Sequence, residues 1–406
     1  MQIFGTHDDA TRAQLAKVAE KARKVALMAD GHVGYVMPIG GVAAYDNAVS
    51  VVGVGFDIAC GNAAIRTDRT VADLGNTGNQ VARRLGNLAD EIADTLSFGV
   101  GRKNQSDDAP TDDPLFEDAA WGAVPPKHRQ ALQVKARQQL GTVGSGNHYV
   151  DVFADETGTI WVGVHFGSRG FGHTVASNFL ALGQGAKWGD RVPETELLLP
   201  LDQPLGHDYW ALMELAGRYA YAGREWVARK VVSILNAQEL ELVHNHHNFA
   251  WKEQHEGEEL VVVRKGATPA FPDQLGFIGG SMGDDAVIVR GTNSADPAVT
   301  DVQRLALFST VHGAGRVMSR TAAAGKRNRK TGRLLSEGRV TSEMMQSWIA
   351  EKGVVLRGGG LDESPHVYRR LPDVLAAQGA TIEVLHTLRP LVVVMAGANE
   401  FDPYKD

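Results

Sequence analysis

Glycine constrains this chain more than any other residue, because 46 of its 406 residues are glycine and they cluster beside histidines rather than in linkers. Glycine lacks a Cβ atom, so it allows tight turns and a close approach of the backbone to a ligand. Short apolar runs punctuated by glycine, such as VMPIGGVAAY and AVSVVGVGFDIACG, are typical of buried strands joined by tight turns. The pattern predicts many tight turns gathered around a site.

Helical periodicity is interleaved with these strands. The predicted helices cover residues 8 to 28, 69 to 97 and 208 to 243. The predicted strands cover residues 145 to 153, 160 to 166, 259 to 264 and 286 to 290. The chain therefore contains both kinds of element in quantity.

One interleaved domain over residues 1–406 is favoured over separable domains. No internal repeat and no Ser- or Pro-rich linker divides the chain, and the informative residues run from Asp30 to His312. Residues 104–126 are acidic and contain proline, which indicates a surface excursion. Residues 320–340 are strongly basic, and we expect that segment to be mobile at its centre.

The composition excludes several classes of protein. Apolar residues make up 43% of the chain and charged residues 22%, which is typical of soluble globular proteins. We find no signal peptide and no apolar run near the ~20 residues that cross a bilayer, so no membrane partner is expected. The single cysteine, Cys60, excludes an internal disulfide framework and favours the cytoplasm. A net charge of −7 means that nucleic acid would need a local basic patch.

A mixed set of thiol, carboxyl and imidazole groups stands at the ends of the apolar runs. Its members are Asp57, Cys60, His148, His165 and His247, all close to glycine or asparagine. Each one alone is more typical of a core residue or of a hydrogen-bonded histidine. Together they form a candidate site for zinc, manganese, iron or cobalt, and a bridging thiolate would admit a second ion.

Four turns rich in basic residues or free amides accompany these groups. They contain Ser168 and Arg169, Arg264 and Lys265, Ser281, and Arg316. Arginine side chains and helix N-termini bind phosphate, although each turn alone is typical of a solvated surface loop. Four such turns around one metal site favour a polyphosphate or a nucleic-acid end.

The stretch HGAGRVMSR places His312 before two glycines that flank Ala314. On its own, this pattern is more typical of a glycine-rich turn with an exposed histidine. Beside a metal ion and arginines, however, a neutral imidazole is a good nucleophile at phosphorus. We therefore predict that His312 forms a covalent nucleotidyl-histidine.

Seven motifs together carry a resemblance to a known family. They are GVGFDIACG, LGTVGSGNHYVDV, VHFGSRG, HHNFAWKEQHEGEELVVVRKGA, GGSMG, IVRG and HGAGRVMSR. In this order and spacing, over nearly the whole chain, they resemble the RtcB family of 3′-phosphate RNA ligases. The resemblance implies an α+β fold whose strands and helices surround a central metal-containing cleft.

The resemblance also assigns roles to individual residues. Two manganese ions would be held, one by Asp57, Cys60 and His148, and the other by Cys60, His165 and His247. The guanylate contacts would be Asn147, Asp151, Ser281, Ala314 and Tyr368. The RNA phosphate contact would be Arg169, to which we add the basic residues Arg264, Lys265 and Arg316. Four further histidines, His32, His173, His244 and His246, are expected either to be structural or to support the metal ligands from behind.

The implied reaction begins with attack of His312 on GTP, which releases pyrophosphate. A 2′,3′-cyclic phosphate RNA end is opened to a 3′-phosphate, and GMP is transferred to it. A 5′-hydroxyl RNA end then attacks, sealing the strand and releasing GMP. The resemblance implies a role in RNA repair or tRNA splicing, with a helper similar to archease serving some family members.

The chain departs from the family pattern near the guanine base. Ala396 stands where the family's C-terminal lysine reaches the base, and Asp151 replaces a glutamate. Ala286 replaces a serine, Gly279 replaces a proline, and residues 28–32 read MADGH instead of MPDAH. The metal ligands and the nucleophile are kept, so we expect intact chemistry with relaxed or altered nucleotide choice.

Two other functions compete with the ligase. A metal-dependent phosphoesterase would open cyclic phosphates at the same metal site without needing His312. A non-catalytic protein that binds RNA ends would use the basic segment 320–340, but it would have no need of Cys60 and three histidines.

Overall fold

The computed structural model describes residues 1–327, 333–397 and 400. The strands are β1 (Gln2–Ile3), β2 (Lys24–His32), β3 (Ile39–Tyr45), β4 (Ala48–Ser50), β5 (Gly61–Thr70), β6 (Tyr149–Ala154), β7 (Thr159–Phe166), β8 (Leu198–Pro200), β9 (Glu239–His246), β10 (Asn248–His255), β11 (Glu258–Lys265), β12 (Ala267–Pro269), β13 (Leu275–Ile278), β14 (Ala286–Gly291), β15 (Ser309–Val311), β16 (Lys326–Arg327), β17 (Leu334–Ser336), β18 (Val355–Arg357) and β19 (Ile382–Met395). The α-helices are α1 (Asp9–Ala19), α2 (Val51–Val54), α3 (Gly78–Thr95), α4 (Pro126–Gln139), α5 (Arg169–Gly183), α6 (Pro204–Ile234), α7 (Pro297–Leu305), α8 (Arg320–Ala324), α9 (Ser342–Lys352) and α10 (Leu371–Gln378). Short 3-10 helices cover Val71–Leu74, Pro114–Glu117, Ala119–Ala123, Leu361–Glu363, Pro365–Val367 and Gly379–Thr381.

The largest sheet has eight strands. Seven follow the order β13-β14-β19-β6-β7-β5-β9, and β18 pairs with β19 beside this path. Its two edges approach each other: Phe277 N in β13 donates to Asn245 Oδ1 in β9 at 3.0 Å, and Asn62 Nδ2 in β5 donates to Phe277 O at 2.8 Å. The sheet is therefore nearly closed into a barrel.

The central strands of this sheet are buried on both faces, which explains their continuous apolar sequences. Successive side chains of a strand point to opposite faces. In β5, Ala63 and Ile65 pack outwards among residues of α3 and α6, whereas Ala64 packs inwards with Trp161 of β7. The α+β prediction is confirmed, and within the described residues no helix is both long and apolar enough to span a membrane.

A second sheet follows the order β1-β2-β3-β11-β10 and lies between two apolar clusters. One face packs against α1, α5 and α6, and the other packs against β14, β15 and α10. The short ladder of β12 and β15 connects this layer to the large sheet, because Ala267 N donates to His247 O at 3.1 Å.

Antiparallel pairing gathers four histidine- and cysteine-bearing segments at one end of the large sheet. Cys60 directly precedes β5 and His148 directly precedes β6, while His165 lies near the end of β7 and His247 directly follows β9. In antiparallel neighbours, the start of one strand lies beside the end of the next. The strand register shows this arrangement directly. His165 of β7 is paired with Asn62 of β5 on one side and with Tyr149 of β6 on the other.

Three predicted helices were too long. The first ends at Ala19, and the following residues form β2, because Lys24 to Leu27 pair with β3. The second was predicted to begin at residue 69, but its first residues belong to the end of β5 and to a 3-10 turn, so α3 begins only at Gly78. The third ends at Ile234, after which β9 pairs with β5. In the first and third cases, sheet pairing overrides the helical periodicity of the flanking apolar residues, whereas in the second the helix begins at its own N-cap, Thr77. The predicted strands match β6, β7, β11 and β14 in place, although β6 begins only at Tyr149.

The segment 104–126 is not wholly a surface excursion. Its acidic first half is exposed, but Phe116 and Trp121 are buried, and the Trp121 ring lies 4.7 Å from the Phe171 ring of α5. The reason is that two 3-10 turns direct these apolar side chains into the main core. The expected mobile centre of segment 320–340 falls on residues 328–332, which lie outside the described residues.

Replacing Trp121 with alanine tests this packing. We expect W121A to lower the free energy of unfolding by about 3–5 kcal/mol, as large-to-small aromatic substitutions in cores do. Urea unfolding of W121A and of the exposed control D112A measures the difference, and D112A should change it by less than about 0.5 kcal/mol. Equal stability of the two variants would mean that the segment does not pack on the core.

Candidate active site

A cavity of about 260 Å³ opens at the end of the large sheet where the ligand-bearing segments meet. All five predicted metal ligands line it, as does His312. They form two triads that share Cys60, and within each triad the candidate ligand atoms lie within 4.8 Å of one another. The first triad is Asp57, Cys60 and His148, and the second triad is Cys60, His165 and His247.

Within each triad, the candidate ligand atoms are close enough together to bind a single ion. Cys60 Sγ lies 3.7 Å from Nε2 of His148 and 3.7 Å from Nε2 of His165. His148 Nε2 lies 3.1 Å from Asp57 Oδ2. His247 stacks on His165 with ring centroids 5.2 Å apart, and its Nδ1 is buried without a hydrogen-bond partner among the described residues.

The protonation states suit a divalent cation. Burial lowers the pKa of His165 and His247, so both rings are neutral near pH 7 and each has a lone pair for a metal. Burial alone would raise the pKa of Asp57, but His148 and Arg169 lower it to about 2. Burial and Asp57 raise the pKa of the Cys60 thiol, so only a bound cation would favour the thiolate. Neutral imidazoles, a carboxylate and a thiol fit borderline metals such as manganese, zinc or cobalt.

Neighbouring polar groups orient the ligand rings. His165 Nδ1 lies 2.7 Å from Asn62 Oδ1 and so carries the proton, which leaves its Nε2 free to face Cys60. Arg169 Nη1 donates to His148 Nδ1 at 3.0 Å. Arg169, the predicted RNA phosphate contact, therefore lies at the first triad, at the start of α5.

His312 follows β15 and lies against a buried carboxylate. Its Nδ1 is 2.6 Å from Oδ2 of Asp30, a fully buried residue of β2. The same oxygen accepts from the backbone N of His312 at 3.1 Å and of Gly313 at 3.3 Å. The rings of His312 and His247 are 4.8 Å apart, which joins the predicted nucleophile to the second triad.

Two glycines make room for the His312 segment beside Asp30. Gly266 has φ +60°, and a Cβ there would lie 2.4 Å from Ile39 and 3.0 Å from the His312 ring. Gly315 has φ +75°, and a Cβ there would lie 2.3 Å from the carbonyl oxygen of Asp30. Sequence reasoning did not give Asp30 a role. The signal was an aspartate inside an apolar strand, because a buried carboxylate requires a partner.

All the predicted guanylate contacts line the same cavity. They are Asn147, Asp151, Ser281, Ala314 and Tyr368. Asn147 Nδ2 lies 3.3 Å from His165 Nε2, and Ser281 Oγ donates to Asp284 Oδ2 at 2.5 Å. Tyr368 contacts Glu363 and lies 3.1 Å from Arg316 Nη1.

Ala396, the position at which the resemblance places the family's lysine, is not among the residues that line the cavity. Met395, the last residue of β19, does line it and is paired with Tyr149 of β6. Asp151 pairs with Val393, and its Oδ1 is buried without a partner among the described residues. Ala286 lies in the barrel interior rather than in the cavity lining.

The structure contradicts two of the four predicted RNA phosphate contacts. Arg264 is fully buried and pairs with Glu253, with Nη1 to Oε1 at 2.5 Å and Nη2 to Oε2 at 3.1 Å. Lys265 is also buried, and its Nζ donates to Val52 O at 3.0 Å. Both lie inside β11 in the second sheet, so neither reaches a phosphate in the cavity. Arg316 does line the cavity.

An ion-pair network beside Arg316 escaped sequence reasoning. Arg316 Nη1 lies 3.2 Å from Glu363 Oε2, Arg320 Nη1 lies 2.9 Å from Asp362 Oδ2, and Arg320 also contacts Glu363. Arg320 and Glu363 line the cavity. The arginines were visible in HGAGRVMSR, but their partners lie more than 40 residues further along the chain, so spacing could not reveal the pairs.

The four further histidines, His32, His173, His244 and His246, lie in different surroundings. His32 lines the cavity, and burial lowers its pKa to about 4. His244 and His246 both accept hydrogen bonds from Arg224. His173 packs against Phe56, next to the first triad.

Comparison with known proteins places this geometry in a family. The family model described as tRNA-splicing ligase RtcB matches residues 12–396. The chain belongs to the RtcB family. It is 31% identical to the RNA-splicing ligase RtcB of Escherichia coli strain K12, over 94% of this chain and 93% of that protein. It is 32% identical to the tRNA-splicing ligase RtcB of Archaeoglobus fulgidus and 30% identical to that of Thermococcus kodakarensis, in both cases over 90% of this chain and 86% of the relative.

The burial of Arg264 in this RtcB-family chain yields a test. We expect R264M to lower the free energy of unfolding by about 3–5 kcal/mol, because the buried Glu253 carboxylate would lose its arginine and keep only His255 as a partner. The double variant R264M/E253L should recover most of that loss, since no charge remains buried. Urea unfolding measures both. A stable R264M protein that binds RNA more weakly would instead support a phosphate contact.

Proposed function

We propose that this protein is an RNA ligase that joins a 2′,3′-cyclic phosphate or 3′-phosphate RNA end to a 5′-hydroxyl end through a guanylyl-histidine at His312. The observation that carries the proposal is the position of His312, whose Nδ1 is 2.6 Å from the buried Asp30 carboxylate, beside a candidate two-metal site. The Nδ1 atom is within ion-pair distance but forms no aligned hydrogen bond among the described residues, so the backbone hydrogen bonds of His312 and Gly313 to Asp30 Oδ2 hold the two side chains together. A phosphoesterase would need the metal site but not a histidine held in this way.

Asp30 prepares His312 for attack at phosphorus. A carboxylate beside Nδ1 favours the tautomer with its proton on Nδ1, so the lone pair is on Nε2. Nε2 attacks the α-phosphate of GTP, the new N–P bond forms, and the bond to pyrophosphate breaks. Asp30 then stabilises the positive charge on the ring, as the buried aspartate of a serine-protease triad stabilises its histidine.

The two triads would hold two manganese ions. When bound, these would supply Lewis-acid stabilisation of charge on phosphate oxygens. The protein's own contribution is to hold the ligand groups, with Asn62 fixing His165 and Arg169 in contact with His148. Arg316 and Arg320 line the cavity, and a nucleotide phosphate there would compete for them with their ion-pair partners Asp362 and Glu363.

RNA joins the reaction after guanylylation. Transfer of GMP breaks the N–P bond to His312 and forms a phosphoanhydride with the RNA 3′-phosphate. Attack of the 5′-hydroxyl on that phosphate forms the new phosphodiester and releases GMP. Arg169, at the first triad, is the proposed contact for the RNA phosphate. The setting would be cytoplasmic tRNA splicing or RNA repair, in which an activator similar to archease is a candidate partner.

Relaxed nucleotide choice is a second proposal. It is favoured by the residues that line the end of the cavity where the nucleotide base is proposed to bind. Met282, Val393 and Met395 are apolar, and Tyr149 adds a hydroxyl with no partner among the described residues. Asp151 is the acidic group there, and burial raises its pKa well above the usual value. A neutral carboxyl group donates one hydrogen bond and accepts another, so it suits the hydrogen-bonding edge of adenine as well as that of guanine.

Covalent labelling tests the nucleophile. The protein and H312A are incubated with manganese and each α-labelled nucleoside triphosphate, followed by a search for acid-labile, alkali-stable labelled protein. We expect labelling of the wild type and none of H312A, because the N–P bond requires the imidazole. Cyclic-phosphate hydrolysis that survives in H312A, with no labelling of either protein, would favour the phosphoesterase.

Exchange of Met395 for lysine tests nucleotide choice. In the wild type we expect GTP and ATP to label at rates within about tenfold of each other. M395K should shift the ratio towards GTP by roughly 10- to 150-fold, since a hydrogen bond to a charged group contributes about 1.5–3 kcal/mol. M395L is the control and should leave the ratio unchanged. Exclusive use of GTP by the wild type would contradict relaxed choice.

A further inference from the structure

Arg224 of α6 is a fully buried arginine whose contacts converge on the ligand-bearing segments. Its Nη1 donates to Ala59 O at 2.9 Å and to Phe166 O at 2.6 Å. Its Nη2 donates to His246 Nδ1 at 2.8 Å. One planar guanidinium thus joins three segments that are far apart in the chain, and its rigid fork geometry fixes their spacing.

Those three acceptors are not arbitrary parts of the fold. They are the immediate chain neighbours of the three members of the second triad, Cys60, His165 and His247. Each ligand of this triad is therefore one residue from a hydrogen bond to the same side chain. The first triad lacks this arrangement, because His148 contacts Arg169 instead.

The backbone at Ala59 shows why a brace is needed there. Ala59 has φ +59°, in the left-handed region that residues with a Cβ rarely adopt. Such conformations persist only where surrounding contacts hold them. Here the Ala59 N donates to Asn248 O at 2.7 Å, and its carbonyl accepts from Arg224. The turn that presents Cys60 is thus fixed on both sides of its strained residue.

Arg224 is also unusual in its charge environment. Within the described residues no carboxylate forms an ion pair with it, and its Nε donates to His244 Nε2 at 2.8 Å. Burial lowers its pKa to about 10, and the acidic groups that offset this effect include Cys60 and Asp57. A buried cation without a carboxylate partner opposes folding, which argues against stability as the reason for its presence.

We propose that Arg224 is a positioning residue that sets the geometry of the Cys60–His165–His247 triad and so its affinity for a divalent cation. The inference rests on the proposed function only in taking this triad as a metal site. Arg224 itself does not line the cavity.

Cobalt binding tests the proposal without using catalysis. Metal-free protein is titrated with Co²⁺ while the cobalt–thiolate and d–d absorption bands are recorded, and equilibrium dialysis gives the number of ions bound. We expect the wild type to bind two ions. R224K keeps the charge but loses the fork, so one of the two ions should bind about 10- to 100-fold more weakly, the usual effect of losing a group that orients metal ligands.

Y219F is the matched control for loss of a buried hydrogen bond in the same helix. The Tyr219 hydroxyl donates to Ala136 O at 2.9 Å and contacts no ligand-bearing segment, so Y219F should bind Co²⁺ as the wild type does. H244Q is a milder second variant in case R224K does not fold. It changes the partner of Arg224 Nε and leaves the contacts of Nη1 and Nη2 in place, so a severalfold loss of affinity is expected. His244 also contacts Glu225 and the Tyr221 ring, neither of which is a member of the triad.

The outcomes separate this inference from the proposed function. Wild-type affinity in both R224K and H244Q would overturn the inference while leaving the ligase proposal intact. An equal loss of affinity in Y219F would also overturn it, because the effect would then be general destabilisation. Absence of a cobalt–thiolate band in the wild type would overturn both the metal site and the role of Arg224.

Discussion

The burial of one thiol between two imidazoles is the constraint on which the site depends. Cys60 Sγ lies 3.7 Å from His148 and 3.7 Å from His165, and Cys60 is the member that the two triads share. A thiol with two imidazoles and a carboxylate in one buried place is unfavourable unless something compensates the polar groups. The ionised Asp57 and the neutral rings of His165 and His247 form a donor set that fits a divalent cation.

The large sheet makes this convergence possible by simple geometry. Its four ligand-bearing strands are antiparallel neighbours, so strand starts and strand ends alternate along one rim. Cys60 and His148 precede their strands, while His165 and His247 stand at the ends of theirs. The second sheet then contributes Asp30, and the β12–β15 ladder carries His312 to it. The proposed nucleophile and the candidate metal ligands therefore come from different layers and meet at the junction of the two.

Long-range strand pairing explains the burial of Arg264 and Lys265, whereas a local turn explains that of Trp121. The sequence predicts a basic turn at Arg264 and Lys265. Both residues instead lie in β11, an inner strand of the second sheet, where their side chains are buried. Val393 and Met395 line the cavity because the side chains of β19 alternate and its register with β6 places these two opposite Asp151 and Tyr149. Trp121 lies in an acidic stretch but reaches the core through a local 3-10 turn.

The sequence by itself determined the chemical inventory: the two-triad ligand set, the nucleophile candidate His312 and the RtcB resemblance that the family match confirms. Short motifs hold these residues at fixed local spacing, so they can be identified from the sequence alone. Only the tertiary structure decided which partners hold them. Asp30 beside His312, Glu363 beside Arg316, and Arg224 bridging the second triad all join residues far apart in the chain. Hydrogen bonds and burial act through space, and no local pattern records a contact made across two sheets.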